Sequence, residues 1–205
     1  AEDARMEMAD YLTLHNLILH DVKRLVVRLN DKADCLAMDD EMKGLILEVG
    51  DFPPPRFSLA SANEALETGR LSLIKSSEIR DGVREMADQM TFVDRQWQRY
   101  IRIKQDVEQA AYGAAGLSLT SEEGLQLRPG LVEVSGMDQY RILTPEGICG
   151  NTQMIALASN AAITQHLYTI YIGQVSARLD TYAASLATYA GDERPESQTI
   201  AEQTP

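Results

Sequence analysis

The sequence is short of cysteine and of basic residues, and each shortage excludes a class of protein. Two cysteines among 205 residues are too few for a disulfide scaffold. Nineteen lysines and arginines against thirty-one aspartates and glutamates leave a net charge of −12, which argues against a general nucleic-acid-binding protein. With 44% apolar residues, however, the chain has enough material for a packed core and is not disordered throughout.

The motifs of common catalytic and metal sites are also missing. The sequence contains no G-x-S-x-G turn, no G-x-x-x-x-G-K-[ST] loop and no G-x-G-x-x-G loop, so neither a nucleophile elbow nor a phosphate cradle is predicted. The three histidines, His15, His20 and His166, lack the acid three residues earlier that di-metal helical bundles use. We therefore predict no enzyme activity, no cofactor and no metal ion.

Apolar residues spaced three and four apart predict long helices. The predicted helices cover residues 3–48, 59–68, 77–112 and 151–190. We expect a bend in the first near Asp39–Asp40, and its end at Gly50 and the three prolines 53–55, because proline cannot continue a helix. The third predicted helix has the most regular series of residues at this spacing, and Lys104 is one of them. This pattern predicts an all-α fold, an elongated antiparallel bundle of three long helices and one short helix.

Two segments fall outside this pattern. Residues 117–150 contain apolar pairs two apart, at Leu125 and Leu127, Val132 and Val134, and Tyr140 and Ile142. That alternation predicts a small irregular or β-hairpin insertion that packs on the helices. Residues 191–205 are polar and acidic, so we predict a disordered tail after a single helical domain over residues 1–190.

The last predicted helix carries almost no charge, because Arg178 and Asp180 are the only ionised side chains in residues 151–190. A surface helix normally has a charged outer face. The bundle could enclose this helix, or a subunit interface could cover it, since interface cores contain few charges. A membrane span is disfavoured by its amides. The interface interpretation predicts a homodimer or a protein partner, with these tyrosines as candidate contacts: Tyr168, Tyr171, Tyr182 and Tyr189.

The two cysteines allow two interpretations. In an exported chain, Cys35 and Cys149 would often pair, and closing so long a loop would stabilise the fold. Alternatively, Cys149 precedes a predicted helix whose N-terminus could favour the thiolate. A nucleophilic cysteine also needs a base, and no histidine is close to it in the sequence. We favour the disulfide.

Residues 63–83 read NEALETGRLSLIKSSEIRDGV. This segment resembles a motif, Leu…Gly-x-Leu-x-Leu-Ile…Leu-Arg, in a family of uncharacterised bacterial membrane-anchored helical proteins. The matching residues are Leu66, Gly69, Leu71, Leu73, Ile74 and Arg80, and Ile79 replaces the usual leucine. The resemblance implies a helical bundle that follows one N-terminal transmembrane helix. It implies placement and fold, and no activity.

The beginning of the sequence agrees with this expectation. A helical pattern runs almost from the first residue with only Asp3 as a cap, which favours a preceding segment. We expect that segment to be a membrane anchor, the alternative being ordinary cleavage. The sequence then predicts a non-enzymatic scaffold or protein-interaction domain in the periplasm, without nucleic acid and with membrane contact only through the anchor. The alternatives are a ligand-sensing helical domain and an enzyme with a Cys149 nucleophile.

Overall fold

Helices make up most of the chain, so the predicted all-α class is confirmed. A computed structural model describes residues 2–55, 64, 67–119 and 140–192. The elements are α1 (Glu2–Asn30), α2 (Lys32–Leu36), α3 (Asp40–Leu47), a 3₁₀ turn (Arg70–Leu73), α4 (Ser77–Ala115), β1 (Leu117–Leu119), β2 (Tyr140–Ile142), a second 3₁₀ turn (Pro145–Gly147) and α5 (Thr152–Asp192). The predicted short helix over residues 59–68 lies mostly outside the described residues.

The prediction of one helix over residues 3–48 is wrong, because two aspartates begin new helices inside it. The Asp31 side chain accepts hydrogen bonds from two backbone N–H groups at the start of α2. The Asp39 side chain accepts one from the backbone N–H of Met42 and begins α3. Met38, just before Asp39, has a φ of 45°, which a helix cannot contain.

Arg28 holds this broken segment together. Its guanidinium, with a side chain only 9% exposed, donates hydrogen bonds to the carboxylates of Asp34 at 2.8 Å and Asp39 at 2.7 Å. The hydrogen bond from Arg28 and that from the backbone of Met42 lower the pKa of Asp39. One cation of α1 is therefore bonded to Asp34 of α2 and to Asp39 at the start of α3.

The two longest helices agree with the sequence prediction to within a few residues. α4 ends where Gly116 adopts a φ of 60°, a left-handed conformation that favours glycine. α5 begins beside the first residue of the predicted helix, because the Asn151 side chain accepts hydrogen bonds from the backbone N–H groups of Gln153 and Met154 and caps the helix. At its other end α5 continues through Gly191 and Asp192, which we had assigned to the tail.

The insertion forms one short pair of strands where it is described. β1 and β2 are antiparallel, with Leu117 opposite Ile142 and Leu119 opposite Tyr140. The predicted strands at 125–127 and 132–134 lie outside the described residues, as do tail residues 193–205. A minor sheet therefore accompanies an otherwise helical chain.

The chain divides into two compact units. The first comprises the described parts of Ala1–Leu12, Arg56–Val93 and Tyr171–Pro205, and the second comprises Thr13–Pro55 and the described part of Asp94–Ile170. Buried apolar side chains form the core of the first: Ala4, Met8, Tyr11, Leu71, Ile79, Met86, Met90, Val93, Ile172, Val175 and Leu179. The core of the second includes Val22, Leu25, Leu29, Met42, Leu45, Ile46, Val49, Val107, Ile148 and Met154. Both units therefore have an apolar interior of their own.

Candidate functional site

A disulfide lies inside the second unit. Cys35 of α2 and Cys149, which precedes α5, are bonded, and both are buried in the apolar core. This is the pairing that the sequence analysis favoured. Because the sulfur of Cys149 is bonded to Cys35, it carries no thiolate, and the alternative of a Cys149 nucleophile loses its reactive group.

Three fully buried polar side chains form a centre in the same unit: His15, Lys104 and Gln165. The Gln165 side-chain nitrogen lies 2.8 Å from His15 Nδ1 and donates a second hydrogen bond to the His15 carbonyl oxygen at 3.1 Å. The Gln165 amide and His15 Nδ1 therefore share a hydrogen bond whose donor depends on the tautomer of the ring. One glutamine of α5 thus orients a histidine of α1.

Burial keeps the His15 ring neutral. It lowers the pKa of His15 to about 4, against a hydrogen bond to the backbone of Pro53 that raises it, while the charge of Lys104 lowers it further. Because the unfolded chain has a histidine pKa near 6.5, the unfolded state binds a proton first as the pH falls. The stability due to neutral His15 is complete above pH 6.5 and is lost between pH 6.5 and about 4.

We expect acid to destabilise the fold through His15. Between pH 7 and 4.5 this histidine should cost about 2 to 3 kcal/mol of unfolding free energy. Urea unfolding at the two pH values, in the wild type and in His15→Asn, isolates this contribution from that of the carboxylates. The exposed His20→Asn variant is the matched control. Equal pH dependence in the wild type and His15→Asn would contradict the assignment.

Lys104 is the most unusual member of the centre. Its side chain is fully buried on α4, and among the described residues its ammonium has no hydrogen-bond acceptor. Burial lowers the pKa of Lys104 to about 8, although the charges of Asp51 and Glu108 act in the opposite direction. Lys104 belongs to the apolar series of the third predicted helix and was not predicted as a functional residue. The signal in the sequence was a lysine at a position that faces the core, where lysine is rarely found.

Aromatic rings surround the centre. The His15 ring lies 5.4 Å from Phe52 and 5.0 Å from Tyr168, with an edge-to-face geometry in both cases. Phe52 stacks parallel to Trp97 at 6.5 Å, and Tyr100 contacts Tyr168. Tyr168 is fully buried among these rings, so its prediction as an interface residue is wrong.

The other candidate interface tyrosines are half-buried in the first unit. The rings of Tyr171 and Phe92 are arranged edge to face, with their centroids 5.3 Å apart. The Tyr182 ring lies so close to Gly82 that a Cβ there would meet it at 2.5 Å, and burial raises the pKa of this tyrosine. Tyr189 is also half-buried. These side chains belong to the inward and flanking sides of α5 rather than to its outer face.

Hydrogen bonds attach the end of α3 and the segment that follows it to α4. The indole N–H of Trp97 donates to the Phe52 carbonyl at 2.8 Å, and the Tyr112 hydroxyl donates to the Leu47 carbonyl at 2.6 Å. Beside this segment lies a cavity of about 500 Å³, with Asp51 and Glu108 among its lining residues. The buried ammonium of Lys104 therefore acts on two carboxylates at the edge of a cavity.

The first unit has a cavity of similar size between α4 and α5. It also measures about 500 Å³, and its lining includes the carboxylates of Glu78, Asp81 and Glu85. Arg178 binds Glu85 at 2.7 Å and Arg84 binds Asp81 at 3.0 Å, so two of these three charges are paired with arginines. Acidic and basic side chains therefore both face this cavity.

The outer face of α5 in the second unit carries a second regular stripe. Five exposed residues, four, three, four and three apart, form this outer stripe: Ala156, Asn160, Ile163, Leu167 and Ile170. The exposed fractions of its large side chains are 60% for Ile163, 39% for Leu167 and 42% for Ile170. The interpretation that the bundle encloses this helix does not hold for the outer stripe, because these residues face solvent. The sequence analysis noted the missing charge but not this stripe.

The motif residues near Gly69 are only partly packed. Gly69, with a φ of 70°, precedes the 3₁₀ turn, where Leu71 is buried but Leu73 is 78% exposed. Arg80 donates hydrogen bonds to the backbone carbonyls of Ile74 and Lys75 and thereby fastens the start of α4. Leu66 lies outside the described residues.

Metal-binding clusters and membrane-spanning helices are both absent from the described part of the chain. No group of three or more histidine, cysteine or acidic side chains is placed to hold a metal ion among residues 2–55, 64, 67–119 and 140–192. Over those same ranges, none of the helices is both long and apolar enough to cross a bilayer. In comparisons with known proteins, no family model matches the chain, and no curated protein and no solved structure is significantly similar to it.

Proposed function

We propose that this chain is a non-enzymatic protein-interaction domain that acts outside the cytoplasm. The outer stripe of α5 is the observation that carries the proposal. Residues three and four apart are neighbours on a helix, so Ile163, Leu167 and Ile170 form one continuous apolar surface. Single exposed apolar residues need no explanation, but a contiguous patch on an uncharged face is typical of a binding surface.

The disulfide supports the extracytoplasmic placement. Structural disulfides form and persist in oxidising compartments and are rare in the cytosol. The Cys35–Cys149 bond lies in the core of the second unit, where it links α2 to the segment that precedes α5. The membrane anchor implied by the family resemblance stays a prediction.

The ligand-sensing alternative also stays a prediction. Each unit holds a cavity of about 500 Å³, within the usual range for small-molecule sites. The polar groups that line the two cavities are less distinctly arranged than the apolar side chains of the outer stripe. The interaction domain is therefore the better-supported function.

A photo-cross-linking residue at Ile163 tests the interaction directly. In cells that make the protein, illumination should join Ile163-labelled chains to a defined partner, because this side chain is 60% exposed on the proposed surface. The same cross-linker at Val27, which is 69% exposed on α1, is the control and should give no adduct. Adducts from neither position, or equal adducts from both, would contradict the proposal.

A further inference from the structure

We infer that the outer stripe binds the outer stripe of a second copy of this chain, so that two α5 helices pack around a twofold axis near Leu167. The inference rests on the proposed interaction function and names its partner. It requires that one surface be complementary to itself, as in most homodimers. The charge of the chain, the spacing of the outer-stripe residues and the size of the stripe each bear on this requirement.

The distribution of charge favours a second copy at this surface. Each chain carries a net charge of −12, so two copies repel each other over most approaches. Residues 152–177 contain no aspartate, glutamate, lysine or arginine. The stripe is therefore a face where two acidic chains can meet without placing like charges in contact.

The spacing of the stripe fits a helix-to-helix contact. Steps of four, three, four and three are those of a coiled-coil seam, in which each side chain inserts between residues of the facing helix. Ile163 and Ile170 lie on either side of Leu167. In an antiparallel pair with its axis near Leu167, Ile163 of one copy comes close to Ile170 of the other, and the exposed His166 borders Leu167 at the centre.

The size of the stripe predicts a weak dimer. From Ala156 to Ile170 the helix rises about 21 Å, and a helix is about 10 Å wide. The contact then buries roughly a few hundred Å² per copy, below the roughly 800 Å² per partner of a standard stable interface. We therefore expect association that depends on protein concentration, at micromolar levels and above.

Sedimentation equilibrium of the full chain over a range of concentrations tests the inference. The mass should rise from the monomer value of 22.7 kDa towards twice that value. Leu167→Glu should hold the mass at that of the monomer, because it places two carboxylates near the axis. Val27→Glu, a matched exposed change on α1, should leave the association unchanged. Circular dichroism checks that each variant is folded.

Mixing oppositely charged variants makes the test specific for the axis. Leu167→Glu and Leu167→Lys should each be monomeric alone, yet an equimolar mixture should dimerise, since a twofold axis near residue 167 brings the opposite charges together. A wild type that is monomeric at all concentrations, or a Val27→Glu variant that also dissociates, would overturn the inference. Cross-linking of Ile163 to a different protein would then still support the interaction function, whereas failure of both experiments would remove both proposals.

Discussion

Removal of the disulfide by the double change Cys35→Ala and Cys149→Ala is expected to lower the unfolding free energy by about 4 to 5 kcal/mol. The bond joins residues 114 positions apart, and cross-linking so long a loop removes much of the entropy of the unfolded chain. Alanine is chosen because both positions are buried among apolar side chains. Urea unfolding of the oxidised wild type and the double variant measures the difference.

Chemical reduction provides the control for this prediction. The wild type with reductant should unfold at nearly the same urea concentration as the double variant, and reductant should not affect the variant. A loss below about 1 kcal/mol would show that the bond does little for stability. Blocking thiols in intact cells before lysis tests the compartment, because a chain with both cysteines alkylated would contradict extracytoplasmic placement.

Lys104→Met is expected to stabilise the fold at pH 7 by up to about 3 kcal/mol. The pKa of Lys104 falls from 10.5 to about 8 on folding, so the unfolded state holds the proton more tightly. Below pH 8 both states are protonated and the full cost of the buried charge is present. As the pH rises from 8 to 10.5, the folded state loses the proton first and this cost disappears. Methionine fills the same space without a charge.

Unfolding measured at pH 7 and pH 10 identifies the cause of the gain. The difference between Lys104→Met and the wild type should be large at pH 7 and small at pH 10, whereas a packing effect would be the same at both. The exposed Lys23→Met on α1 is the matched control and should change little at either pH. Destabilisation by Lys104→Met at pH 7 would show that Asp51 and Glu108 stabilise the ammonium by more than its burial costs.

The long helices could be predicted because helical periodicity and caps are local properties. The stripe of α4 and the Asn151 cap of α5 each depend on residues only a few positions apart. The expected bend near Asp39–Asp40 coincides with the start of α3, whereas the break at Asp31 was missed because this residue resembles an ordinary surface acid in the sequence. The capping hydrogen bonds of Asp31 and Asp39, and the contact of Arg28 with Asp34 and Asp39, became visible only in the structure.

The sequence by itself determined the all-α class and the absence of charge on the last helix. Only the tertiary structure decided which side of that helix is covered. Tyr168 and Leu167 are adjacent apolar residues, and each belongs to a series of three and four residue steps. Tyr168 is buried because His15 and Phe52 come from distant parts of the chain to pack against it. Leu167 is therefore left on the outer face, because a helix turns neighbouring side chains by about 100° and the core can cover only one of these series.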